Sequence, residues 1–138
     1  MNFLANLFRK GSLVGPKRIL TVADQQQIEE RWKKIEELAG IGKPSTLREA
    51  VIEADKLVNL ALGRIYPGKE TAAERLKEAK EMFASYRKDY ENLWYAHKIR
   101  NEMVHTVGFE LPSMEAKNIL DYFRKALEVV GVLRGRLI

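Results

Sequence analysis

The chain has 138 residues, 46% of them hydrophobic, enough for one domain to bury a core without covalent staples. Its 24 basic and 19 acidic residues leave a net charge of +5, and the absence of cysteine excludes disulfides, thiolate zinc sites and cysteine nucleophiles. Two histidines leave little room for a metal centre, no apolar run approaches the roughly 20 residues of a membrane span, and the N-terminus has its charges after its apolar residues, opposite to a secretory signal; a cytoplasmic protein without metal or cofactor is expected.

Residues 1–20 read as a basic N-terminal arm, because Arg9, Lys10, Lys17 and Arg18 all precede the first acid, Asp24. Clustered cations suit a phosphate backbone or an anionic lipid surface, and a solvated leader accounts for them equally well. The apolar segment FLANLF is too short to anchor the chain, so membrane contact by the arm is not expected.

Residues 21–138 read as a helical bundle. From Val22 to Ala39, Ile28, Trp32, Ile35 and Leu38 recur at helical spacing, and Gly40 and Gly42 end the run. Thr46 with Glu49 has the spacing of a capping box for a second helix, whose apolar stripe is Leu47, Ala50, Val51, Ala54, Val58, Ala61 and Leu62. Thr71 with Glu74 has the same spacing and opens a shorter segment through Leu76, Ala79 and Phe83. A long helix follows from about Tyr86 to His105; whether it is continuous with the segment before it stays open. Ser113 is the expected cap of a last helix carrying Ile119, Leu120, Phe123, Leu127 and Val130, which frays at Gly131 and Gly135. No segment alternates with period two, so the expected class is all-α, an up-and-down bundle of about four to five helices.

The informative stretch is LWYAHKIRNEMVH, Leu93 to His105, which holds both histidines of the chain. At about 100° per residue, Leu93, Ala96, Ile99, Met103 and Val104 make one apolar side, and Arg100 falls in its middle. A guanidinium aimed at a core must be paired or must line a polar cavity. Trp94, His97, Asn101 and His105 form an adjoining polar strip, while Arg100 and His105 lie about 140° apart. A groove shared with a second copy of the helix would bring those two to one substrate.

An imidazole exchanges protons near neutral pH, and a guanidinium matches phosphate oxygens and offsets the added charge of a phosphorane. With an RNA phosphate between them, His105 suits proton transfer to or from the 2′-hydroxyl or the leaving 5′-oxygen, Arg100 suits holding the phosphoryl group, and Asn101 suits fixing the imidazole or the phosphate. In the structural alternative, Arg100 pairs with a buried carboxylate and His105 sits at a helix C-terminus, where the dipole favours a cation.

The segment HKIRNEMVH resembles the signature of the HEPN superfamily: an arginine, a polar residue such as asparagine, then a histidine after a short spacer, here Arg100, Asn101 and His105. REAVIEADKLVNLAL and ERLKEAK are similar to earlier helices of small bacterial HEPN-like proteins, so the resemblance runs from about Gln26 to Val132. It implies an α-helical bundle, commonly dimeric, and a metal-independent endoribonuclease of toxin–antitoxin, defence or RNA-processing systems. Arg100 and His105 would then be catalytic and Asn101 supportive, with RNA as substrate, a homodimer as the assembly and an antitoxin protein as a candidate partner; no DNA specificity is evident.

Around that signature, Asp55 borders the apolar stripe of the second helix and is the candidate to pair with and orient Arg100, or else an edge carboxylate in water. His97 is a candidate substrate contact or a surface or interface histidine; Lys98, Trp94, Lys17 and Arg18 are candidate RNA contacts, and Trp94 and Tyr95 could instead be core or dimer interface. Lys69, Arg75 and Lys77 alternate with Glu70, Glu74 and Glu78, the pattern of a solvated helix face. Two further readings remain: a catalytically silent module that binds RNA, nucleotide or protein through the same groove, and an adaptor tethered by its basic arm to membrane or ribosome.

Overall fold

The computed structural model describes residues 17–133. The expected features at Arg9, Lys10, FLANLF and Gly135 lie outside the described residues. Among those described there are five α-helices and no strand: α1 (Val22–Ile41), α2 (Pro44–Ile65), α3 (Ala72–Glu78), α4 (Arg87–His105) and α5 (Ser113–Val129). A 3₁₀ segment, Ala79–Phe83, follows α3, and Ala84 to Tyr86 separate it from α4, so these are distinct helices and not one bent rod. None of the described helices is long and apolar enough to cross a membrane.

α2 is the central element. It packs on α1, α4 and α5, and α4 packs on α5. Its sequence explains that position, because Leu47, Ala50, Val51, Ala54, Leu57, Val58, Ala61, Leu62 and Ile65 are all buried, a stripe wide enough for three neighbours. Alanines at 50, 54 and 61 let those helices approach closely. Ile28, Trp32 and Ile35 of α1 and Ile119, Phe123 and Leu127 of α5 close the same core. Each large side chain buried here is worth about 1.5–3 kcal/mol.

The helix ends depart in part from the expected ones. α1 runs to Ile41 and stops at Gly42, whose φ of 77° is the left-handed cap conformation. Its start is a capping box not expected from the sequence, Thr21 with Asp24, in which aspartate replaces the usual glutamate. The expected box at Thr46 does not form. Pro44 occupies the first turn of α2, where its fixed φ fits and its missing N–H costs nothing. The helix therefore starts three residues earlier, with Lys43 in the cap position, and Thr46 Oγ1 donates back to the Lys43 carbonyl (3.0 Å). Ser113 is likewise not a cap: Pro112, with ψ 146°, takes that place, and its carbonyl accepts the Ala116 N–H (2.9 Å). The Thr71 box does form, with Thr71 Oγ1 accepting from the Glu74 N–H (3.1 Å) and Glu74 Oε1 from the Thr71 N–H (3.3 Å).

Around the start of α3, Glu70, Glu74, Lys77 and Glu78 are exposed, as the alternating charges suggest, while Lys69 and Arg75 are drawn in. Arg75 is half-buried, donating from Nε to the Lys69 carbonyl (2.9 Å) and from Nη1 to Asn59 Oδ1 (3.1 Å). Gly63 makes room for it, since a Cβ there would lie 3.0 Å from the guanidinium carbon. Lys69 pairs with Glu78 (3.6 Å).

Candidate functional site

The site begins at Asp55, in the middle of α2 and only 3% exposed. Val51, Val58 and Leu62 are on the same face, so the helix directs this carboxylate inward with its apolar stripe. A buried carboxylate requires cations or donors around it, and α4 supplies them. Arg100 Nη2 lies 2.7 Å from Asp55 Oδ2, and His97 Nδ1 lies 2.8 Å from Asp55 Oδ1. An ionised carboxylate only accepts, so the Nδ1 proton of His97 is the one donated to it.

Asn101 completes the cluster. Its Oδ1 accepts from Arg100 Nη1 (3.1 Å), and its Nδ2 faces His97 Nε2 at 3.5 Å, the long limit of a hydrogen bond. That amide orientation agrees with the tautomer set by Asp55, because Nε2 then offers a lone pair to the amide N–H. Arg100 approaches Asp55 as an ion pair without good hydrogen-bond angles: Asp55 Oδ2 and Arg100 Nε are both buried without a hydrogen-bond partner. Coulomb attraction, more than directional bonding, holds the guanidinium there. The Arg100 side chain is 22% exposed, so one edge still reaches solvent.

The helix places the expected residues unevenly. Arg100, Asn101 and Asp55 come together. His97 is 8% exposed and belongs to this buried cluster, so it is not a surface histidine. The available signal was its spacing, four residues after buried Leu93 and three before Arg100. His105 is apart from the cluster: it ends α4, exposed to solvent, and its imidazole makes no hydrogen bond or ion pair among the described residues. Arg48, which no sequence motif singled out, donates from Nη2 to the Met103 carbonyl (2.9 Å), satisfying one of the orphan carbonyls of that last turn.

Of the other candidates, Trp94 is half-buried with its ring edge-on to His97, centroids 6.3 Å apart and planes at 77°. Lys98 is exposed. Tyr95 is 42% exposed, stands edge-on to Tyr122 and donates its hydroxyl to Glu115 (2.5 Å); that bond, followed by partial burial, raises the phenol above its ordinary pKa. Lys17 and Arg18 are exposed, and the Arg18 backbone N–H donates to the Ile65 carbonyl (2.7 Å), tying this stretch to the end of α2.

Comparison of the chain with family models, with curated proteins and with solved structures found no match.

Proposed function

We propose that the protein is a metal-independent endoribonuclease of the HEPN type, acting as a homodimer in a toxin–antitoxin, defence or RNA-processing system. One observation carries the reading: a guanidinium oriented by a buried carboxylate and an asparagine, on the same helix as an unengaged imidazole five residues further on. In the reaction, the 2′-oxygen of RNA attacks the adjacent phosphorus as the bond to the 5′-oxygen breaks. His105 of one protomer takes the 2′-hydroxyl proton or delivers a proton to the leaving oxygen. Arg100 offsets the charge that builds on the phosphorane, and Asn101 keeps the guanidinium in place. Asp55 and His97 act as positioning residues beneath it.

Because Arg100 and His105 point about 140° apart on one helix, the reading requires the second copy of α4 to complete each site. The products are a 2′,3′-cyclic phosphate and a 5′-hydroxyl, and both ends can be mapped. Wild-type protein incubated with unstructured RNA in EDTA is expected to leave those ends, and His105→Ala to cut about 10²–10⁴-fold more slowly while still binding. Equal cutting by His105→Ala would remove the proposed acid–base role.

The Asp55 contact favours a second reading, since a carboxylate 2.7 Å from Arg100 already offsets its charge. A module that binds RNA, nucleotide or protein without cleaving is what remains if wild type binds RNA in this assay and never cuts it.

A further inference from the structure

A groove of about 410 Å³ lies beside the N-terminal half of α4, between that helix and the 3₁₀ segment. Its walls are aromatic: Phe83, Tyr90, Trp94 and Tyr95. The walls are held in place, because Tyr90 donates its hydroxyl to the Leu76 carbonyl (2.9 Å) and its ring packs on Phe83 with centroids 5.5 Å apart. Tyr95 is held by Glu115. Trp94 is fixed edge-on against His97, which joins the groove to the Asp55 and Arg100 cluster.

The rim is charged, and unevenly so. Lys80, Arg87 and Lys98 surround the opening, all exposed and none with an ion pair among the described residues. Glu91 is the one acid of the lining, and Lys88 stands 4.0 Å from it. Three unpaired cations around an aromatic cleft complement a ligand with a flat apolar ring and flanking anionic charge. The volume is near the lower end of ordinary ligand sites, about 300–1,000 Å³, so it admits one nucleoside and not a base pair.

We infer that this groove is a subsite for single-stranded RNA, which takes one unpaired base between Trp94 and Tyr90 and holds the adjoining phosphates with Lys98, Arg87 and Lys80. The inference rests on the ribonuclease reading for its choice of RNA, and it adds where the strand is held relative to the cleavage residues. Lys98 precedes Arg100 by two residues and so stands about 200° from it around α4; the groove meets the cluster through Trp94, whose ring is edge-on to His97. Stacking is tolerant of base identity, so the subsite favours unpaired over paired RNA more than one sequence over another.

The test uses Trp32→Phe protein, in which Trp94 is the sole tryptophan, titrated with a 2′-O-methyl oligouridylate that has no nucleophile for cleavage. Saturable quenching of Trp94 emission is expected, with little from a duplex of the same length. Arg87→Ala with Lys98→Ala, both exposed positions, is expected to weaken binding of a labelled oligomer and to lower the slope of log affinity against log salt by about 1.4, about 0.7 for each single-strand phosphate no longer neutralised. Trp94→Leu is expected to weaken binding about tenfold. Silent Trp94 emission while the labelled oligomer binds overturns the subsite, as does equal quenching by duplex, or emission that changes with protein concentration alone because a second copy covers the groove. Cleavage of ordinary RNA is scored separately: a protein that cuts with Trp94 silent loses only this inference, and one that quenches without cutting loses only the ribonuclease reading.

Discussion

Asp55 is the residue on which the cluster depends. Replacing it with alanine leaves the Arg100 guanidinium and the His97 Nδ1–H facing a cavity, and breaking a buried pair from one side typically costs about 3–5 kcal/mol. Arg100 retains a path to solvent, so the expected loss for Asp55→Ala is smaller, about 2–4 kcal/mol. His105→Ala, at an exposed helix end, is expected to stay within about 0.5 kcal/mol of wild type. Urea unfolding midpoints measure both. Coincident midpoints for the two variants would mean that the ion pair is not retained in solution. The presence of a partly buried charge at position 100 was legible in the sequence, since a basic residue interrupts an apolar side. That His97 shares its counter-ion was not, because on a helical wheel this residue belongs to the flanking polar strip.

At the scale of elements, the two capping boxes make the helix ends acid-sensitive. Asp24 accepts from the Thr21 N–H, and Glu74 from the Glu70 and Thr71 N–H groups; these backbone hydrogen bonds are the main cause holding both carboxyls below their ordinary pKa. Asp24 also pairs with Arg64. A carboxyl whose folded pKa is lowered contributes stability that is fully present above its unfolded value and is lost as pH falls through the folded one. For an aspartate and a glutamate that window lies below about pH 4.5. Melting temperature followed by circular dichroism is expected to fall on acidification through that window, and Asp24→Asn with Glu74→Gln to lower it at neutral pH while flattening the acid limb. An acid limb of unchanged slope would assign the loss to other groups. The same elements indicate which caps can be read from sequence. The Thr71 and Glu74 spacing is followed by a run without proline and becomes a box, whereas the Thr46 and Glu49 spacing is overruled by Pro44, which starts the turn earlier.

Across the whole molecule, Val104, Val107 and Met114 are exposed apolar side chains at the end of α4, on the loop after it and at the start of α5. They are the surface on which the proposed homodimer would close, near His105. A stable isologous contact buries at least about 1,000 Å² in total. Sedimentation equilibrium at micromolar concentration is expected to give twice the chain mass, and Val107→Asp with Met114→Lys to give a folded monomer that no longer cuts RNA. A wild-type monomer would leave Arg100 and His105 on separate faces and remove the shared site.

The amino-acid sequence by itself determined the all-helical class, the approximate spans of α1, α2, α4 and α5, the start of α3, and the existence of an unusual charge on the apolar side of α4. These follow from local causes: hydrophobic spacing, glycine and proline punctuation, and the cost of an unpaired guanidinium. Only the tertiary structure decided which sector of α4 meets α2. A wheel gives angles between residues of one helix and says nothing of that helix's roll against its neighbours. Packing set the roll, and so brought His97 and Asp55, 42 positions apart in the chain, to 2.8 Å while leaving His105 in solvent.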